Sequence, residues 1–293
     1  MITNSKDKQV IAIVGATASG KTDYSISLAK QIDGEVISAD SRLVYKGFNV
    51  GTAKPTLEEQ QGIPHYMIDI VEPEFEYSAG LYKQQASKII DNVLSRGKTP
   101  IVVGGTGLYI DILLKNFDLP QIPPNRPLRN SLSLLSDDDL FNKLYVLDKN
   151  ATDYIDKNDR KKIIRAIEII QTTGKSLEQS RSIGKNNYTV KWIGKNFERK
   201  TLYERIDKRI DIMIEKGLVD ETKFLLNKHG SIPNLIYTIG YKEIISYLNG
   251  YTSLEESINS LKQNTRNYAK RQLTWFRRNS DIEWDIYPEK LKR

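Results

Sequence analysis

Gly15-Ala16-Thr17-Ala18-Ser19-Gly20-Lys21-Thr22 has the spacing G-x-x-x-x-G-K-[ST]. Glycine at both ends lets the backbone turn its N–H groups inward around an anion, and the lysine adds a compact positive charge. The Thr22 hydroxyl is the Mg²⁺-ligating position of this pattern, and a helix starting there would add the positive end of its dipole. These residues form a phosphate cradle whose substrate the motif leaves open. Nucleotide hydrolases and kinases of this class usually hold Mg²⁺ with an aspartate ending another buried strand. Here Pro100-Ile101-Val102-Val103 runs instead into Gly104-Gly105-Thr106-Gly107, whereas Asp40 closes Val36-Ile37-Ser38-Ala39-Asp40. Asp40 could take that role, with a helix cap or a place in the second shell of Mg²⁺ as the plainer alternatives.

The elements that must position these groups are legible as patterns. Val10-Ile11-Ala12-Ile13-Val14 is a continuous apolar run and predicts a buried parallel strand before the cradle. Tyr24, Leu28 and Ile32 then recur every fourth residue, predicting a helix that Gly34 ends. Tyr66 to Ile70 is a weaker strand. Ser78 caps a helix reaching about Arg96, with Gly97 just beyond its end. The expectation is an α/β fold: a P-loop-type core with a parallel sheet flanked by helices, plus a small helical insertion domain. Four prolines in 119–127 mark a boundary, giving a first part of the core at 1–122, an insertion at 123–190 and a second, mostly helical part at 191–293. Within the insertion Asn158 is the expected N-cap and Gly174 the expected stop of a helix. A strand at 188–194 returns the chain to the core. Helices are expected around 201–216, 218–228, 240–249 and 253–279, the last opened by a Ser253/Glu256 capping box.

Composition narrows the class. The chain has 293 residues, no cysteine and a formal charge of +7, so disulfides and thiolate-bound metals are excluded. Residues 191–293 hold 20 Lys and Arg against 14 Asp and Glu, a local excess that favours polyanions. Lys262, Arg266, Lys270 and Arg277 share one side of the last helix, within a stretch free of acids from Ser257 to Ser280. His65 and His229 are not spaced as metal ligands, and His65 reads as structural. The polar start MITNSKDKQ is no secretory signal and no apolar run is long enough to span a membrane, so the expected location is the cytoplasm.

Several longer segments occur together and in order: ISADSRLVYKGFNVGTAKP (37–55), IPHYMIDI (63–70), VVGGTGLYI (102–110), IIRAIE (163–168), IGYKE (239–243) and TRNYAKRQLTWFR (265–277). With GATASGKT they resemble the bacterial-type tRNA dimethylallyltransferases, also called tRNA isopentenyltransferases. The likeness spans nearly the whole chain and is weakest in 111–160.

The resemblance implies a specific chemistry. Gly15 to Thr22 would hold the diphosphate of dimethylallyl diphosphate, with Mg²⁺ near Thr22, and Arg205 or Arg209 would add a cation to it. The acceptor would be N6 of the adenine 3′ to the anticodon of tRNA, flipped into a channel. Asp40 matches the family's catalytic aspartate and Thr106 joins it there. Asp40, Ser41, Arg42, Leu43, Thr106, Arg129, Lys161, Lys162, Ile163, Ile164 and Arg165 match stretches that touch tRNA. A monomer is expected, without a membrane partner. Three departures stand out: Ala16 replaces a common proline, Leu43 replaces a glutamine able to hydrogen-bond a base, and Lys161-Lys162 replaces Gln-Arg, which would weaken a bidentate phosphate contact. The competing readings are an ATP-dependent small-molecule kinase and a tRNA-binding P-loop NTPase. The basic tail helix and GGTGLY disfavour the kinase, which needs no RNA surface.

Overall fold

The computed structural model describes residues 8–115, 117–118, 120, 122–180, 182–183 and 187–286. The chain forms two units, one from residues 1–114 together with 187–293 and the other from 115–186.

In the first unit β1 (Gln9–Gly15) is buried at every residue after Gln9. Burial without alternation is what a central parallel strand needs, because helices cover both of its faces. α1 (Lys21–Ile32) follows the cradle. It closes at Asp33, whose φ of 48° is left-handed, so Gly34 opens the next strand instead of ending the helix. β2 (Gly34–Ser38), β3 (His65–Tyr66), α2 (Ala79–Ser95), β4 (Thr99–Gly104) and α3 (Gly107–Leu114) complete this half. Ser78 caps α2 by accepting from the Leu81 N–H at 3.2 Å. β3 is shorter than the pattern suggests, because Met67 and Asp69 take φ values of 64° and 53° and end the extended run.

The second unit contains β5 (Phe117–Asp118), α4 (Arg126–Ser133), α5 (Asp137–Leu147), α6 (Arg160–Thr173) and β6 (Ser182–Ile183). β5 pairs antiparallel with β6. Leu140, Leu144, Ile163 and Ile167 are fully buried and form its core. Asp159, not Asn158, caps α6 by accepting from the Lys162 N–H at 3.2 Å, while Asn158 donates to Asp156. Gly174 ends the helix as expected, with φ 66°.

The chain then re-enters the first unit through β7 (Thr189–Lys195), followed by α7 (Arg199–Glu215), α8 (Leu218–His229), α9 (Pro233–Ile236), α10 (Tyr241–Leu248), α11 (Leu254–Phe276) and β8 (Glu283–Trp284). The second unit is wider than the expected 123–190 at its start and narrower at its end. The physical reason is pairing: residues 117–118 already belong with 182–183, and β7 registers with β1 from Thr189 onward.

The six-stranded sheet has the order β3-β2-β4-β1-β7-β8, every pair parallel. One face packs Ile13, Val36, Ile101 and Val103 against Ala29 of α1. A second apolar cluster gathers Tyr45 and Phe48 with residues of α7, α8, α10 and α11, the Phe48 and Tyr241 rings meeting edge to face at 4.8 Å. No helix among the described residues is long and apolar enough to cross a membrane.

Glu35 is a buried charge in the sheet. Arg96 donates to it at 2.7 and 2.5 Å and the Tyr66 hydroxyl at 2.9 Å. The Arg96 hydrogen bonds hold its carboxyl at about 2, against an ordinary 4.5. Glu35→Ala is expected to cost about 2–3 kcal/mol in urea unfolding near neutral pH, since it strips the carboxylate from Arg96 and Tyr66. The folded pKa is depressed, so this contribution is present above about pH 4.5 and is lost as pH falls towards 2. A gap between the two proteins that stayed constant down to about pH 2 would refute the assignment.

Candidate active site

The cradle joins β1 to α1 with a backbone that curls inward. Ala18 and Gly20 take φ values of 61° and 78°, and the Ser19 N–H reaches back to the Ala16 carbonyl at 3.3 Å. α1 has no side-chain cap at Gly20, so its first N–H groups are turned towards the loop, the arrangement that receives anions. Lys21 Nζ donates to the Ala16 carbonyl and, at 3.4 Å, to Ser19 Oγ. Ala16 itself is buried in the apolar core, consistent with a position where a side chain faces packing and not ligand. Thr22 is exposed in the first turn of α1.

α7 brings two cations to this loop from one face of the helix. Arg205 donates to the Ala18 carbonyl at 2.9 Å and lies over the Phe197 ring. Arg209 points at Thr17 Oγ1 at 3.4 Å and is the one of the pair that lines the cleft. Burial, reinforced by Arg209 and opposed by Asp40, brings the Lys21 ammonium down to about 7. Burial likewise disfavours the Arg209 charge, with Asp40 as its largest compensation.

Asp40 sits just past β2. Its Oδ1 accepts from the Arg42 N–H at 2.8 Å, which fixes the turn. The ends of β2 and β4 are knitted together there: the Ala39 N–H donates to Val103 at 2.7 Å, and the Thr106 N–H to Ala39 at 3.1 Å. A Cβ on Gly104 would lie 2.1 Å from the Ala39 carbonyl oxygen, so only glycine permits this approach. Thr106 Oγ1 accepts from the Ser41 N–H at 3.1 Å. Burial pushes the Tyr268 phenol up to about 12, so it remains a hydroxyl at neutral pH.

Two lobes open on this centre, and Thr17, Asp40, Arg209 and Tyr268 line both. The smaller, about 110 Å³, is bounded by Lys21, Thr22 and Leu43. The larger, about 360 Å³, is lined by Arg42 and Arg271 and by the apolar Ile206, Met213 and Leu261. One carboxylate thus stands between a phosphate cradle and a roomy, cation-rimmed cavity. Tyr268, Arg271 and Gln272 were not singled out from sequence. They lie in TRNYAKRQLTWFR, whose signal was the family likeness of the whole segment.

The remaining sequence candidates lie in the second unit. Glu168 is fully buried and accepts from Arg129 at 2.9 and 2.8 Å, from Arg165 at 2.5 Å and from the Asn125 N–H at 2.6 Å. Burial alone would raise its carboxyl, but the two arginines outweigh burial and hold it at about 2. Lys162 pairs with Asp159 at 2.6 Å. Ile163 is fully buried, so its side chain belongs to packing, and Ile164 is half-buried beside the same core. The basic side of α11 is also partly matched: Lys262 meets Asp211 at 2.6 Å and Arg266 grips Asp207 at 3.1 and 2.5 Å.

Because Lys21 stands near 7, an anion bound in the cradle should draw a proton onto it. The ratio of wild-type to Lys21→Ala affinity for inorganic pyrophosphate should therefore be constant below about pH 7. It should fall as pH rises, approaching about tenfold per unit. Isothermal titration over that range checks it, and a ratio independent of pH would contradict the reading of Lys21.

The geometry has counterparts in known proteins. The family model described as IPP transferase matches residues 43–279. The tRNA dimethylallyltransferase of Alkaliphilus metalliredigens is 46% identical, over 94% of this chain and 91% of its own. That of Pelotomaculum thermopropionicum is 42% identical, over 97% and 92%. The crystal structure of the tRNA isopentenylpyrophosphate transferase of Bacillus halodurans superposes with a TM-score of 0.72 at 42% identity, covering 95% of this chain and 89% of that one. A eukaryotic dimethylallyltransferase acting on tRNA gives 0.83 at 31% identity, covering 94% and 73%. Matches of this length and identity place the chain in the IPP transferase family of tRNA dimethylallyltransferases.

Proposed function

We propose that this chain transfers a dimethylallyl group from dimethylallyl diphosphate to N6 of the adenine 3′ to the anticodon of tRNA, releasing diphosphate. The observation that carries the reading is Asp40, which borders both the cradle lobe and the larger lobe. A donor diphosphate in the first and an extruded base in the second would place the two reacting atoms on either side of it. An adenine N6 is a poor nucleophile and needs a carboxylate to orient it and accept its proton. The N6–C1 bond forms as the C1–O bond breaks, the bonding pair leaves with the diphosphate, and the N6 proton passes to Asp40. Lys21, Arg209 and the cradle N–H groups stabilise the charge growing on the leaving group. Thr106, held by the Ser41 N–H, positions the acceptor side. A base of a single-stranded loop costs less to extract than one in a duplex.

Mg²⁺ fits as a companion of the diphosphate. Among the described residues no group of three His, Cys, Asp or Glu could hold a metal alone, so the cation would rest on the diphosphate and on the Thr22 hydroxyl. Once bound, it would neutralise part of the leaving-group charge.

Asp40→Ala should lower kcat by about 10²-fold or more while changing tRNA affinity little. The readout is mass spectrometry of nucleosides digested from unmodified tRNA incubated with dimethylallyl diphosphate. Near-normal turnover of the variant would move the base elsewhere, and robust tRNA-independent ATP hydrolysis would favour the NTPase reading. The second unit supplies phosphate contacts in this proposal. Lys161→Ala with Lys162→Ala should weaken tRNA binding across sequences and flatten the log–log salt dependence by roughly 0.7–0.9 for each phosphate that is no longer neutralised.

A further inference from the structure

Two residues that line the smaller lobe carry buried polar atoms that the transfer reaction leaves without a task. Ser38 is buried, at 4% exposure, and its Oγ has no hydrogen-bond partner. The Nε2 of His65 is likewise buried and unpartnered. Both residues line the same lobe as Lys21, Thr22 and Asp40. Their placement follows from the sheet. Residues 36 and 38 share one face of β2, and His65 is the register partner of Val36 across β3. That face is the one α1 covers. Desolvating a polar group without a partner is unfavourable, so such groups in a native fold call for an explanation.

The chemistry of the His65 nitrogen restricts what it can meet. Nδ1 lies 2.8 Å from the Ile63 carbonyl, which can only accept, so Nδ1 carries the proton. Burial lowers the pKa of the ring and keeps it neutral. Nε2 therefore carries a lone pair that no donor in the fold meets, on a residue that lines the lobe. A lone pair beside a phosphate cradle is repelled by phosphate oxygens, so its partner must be a hydrogen-bond donor. The donor that accompanies a diphosphate is the water shell of its divalent cation, since Mg²⁺ gives up its waters reluctantly and keeps several when bound through phosphates. A lobe of about 110 Å³ has room for such waters. We infer that Ser38 and His65 are outer-sphere acceptors for the hydrated cation that enters with the diphosphate. They would anchor its waters and fix its place beside Thr22, which makes them positioning residues for the leaving group. The inference rests on the proposal that the cradle holds a diphosphate.

The test measures inorganic pyrophosphate binding by isothermal titration, once with Mn²⁺ and once in EDTA, so that the gain from the cation is isolated. In the wild type Mn²⁺ should tighten binding. Ser38→Ala and His65→Leu should each reduce that gain by about tenfold, the lower end of the range for outer-shell partners of a bound metal. Their affinities in EDTA should stay within about twofold of wild type, because neither residue is assigned to the anion itself. His65→Gln, whose side-chain oxygen is an acceptor, should recover part of the gain. Without ligand, Ser38→Ala should melt at or above the wild-type temperature, since it deletes an unpartnered buried hydroxyl. A purely structural role would give the opposite pattern, with lower stability and an intact Mn²⁺ gain. A double variant Ser38→Ala/His65→Leu with the full wild-type gain overturns the inference. Wild-type protein that binds pyrophosphate in neither condition overturns the diphosphate reading, and this inference with it.

Discussion

The side-chain amide of Gln272 is buried at 5% exposure, and both of its ends are committed to backbone. Its oxygen accepts from the Thr17 N–H at 2.8 Å, and its nitrogen donates to the Gly105 carbonyl at 3.0 Å. One residue of α11 thus ties the cradle after β1 to the GGTG loop after β4. The fit is tight, because a Cβ on Gly105 would stand 2.1 Å from the Gln272 nitrogen. Both loops are irregular backbone near the middle of the sheet, where unpaired polar groups would be costly, and a carboxamide is the side chain that can satisfy a donor and an acceptor together. Asp40, Thr106 and Lys21 each sit on, or next to, a loop that this bridge or its neighbours hold in place.

Around that bridge the charges are deliberately unequal. Lys21, Arg209, Arg42 and Arg271 converge on lobes in which Asp40 is the carboxylate common to both. Two of these cations are disfavoured by burial and, for Lys21, by mutual repulsion. Crowded, partly desolvated cations gain most when an anion arrives, and more as that anion's charge grows. This is the electrostatic requirement for expelling diphosphate. The fold carries the crowding because Arg205 and Arg209 lie on a helix whose other residues, Leu202, Ile206 and Ile210, are locked into the apolar cluster.

The second unit shows the reverse logic. Two of its arginines, Arg129 and Arg165, converge on a single buried carboxylate, Glu168, which accepts from α4, α6 and the turn before α4. Losing either arginine would leave that charge under-compensated. A cation that reads in the sequence as part of an RNA-facing cluster can therefore also be a structural strut. Arg165 is a clear instance: it donates to Glu168 and, at 3.2 Å, to the Ile122 carbonyl.

Much of this protein was legible from local rules. The cradle, its flanking strand and helix, the Ser78 cap, the capping box of α11 and the Gly174 stop depend on residues within a few positions of one another, where pattern and propensity act directly. The family, too, was carried by contiguous segments. The rest needed the tertiary structure, for a physical reason common to every case: the partner is remote in sequence. Gln272 meets Thr17 across 255 positions. His65 comes beside Val36 only through strand register, and with Ser38 it lines one lobe, which spacing along the chain does not reveal. Arg209 and Arg205 were indistinguishable as a pair four residues apart until the packing of α7 turned one into the cleft and the other onto the loop. The acids that neutralise Lys262 and Arg266 lie on α7, so these two cations of the apparent basic stripe of α11 are already paired within the fold. Residue type and spacing determined which chemistry this chain can do. Long-range pairing decided which of its charges remain available to do it, because a charge is available only where the fold has not already supplied its counterpart.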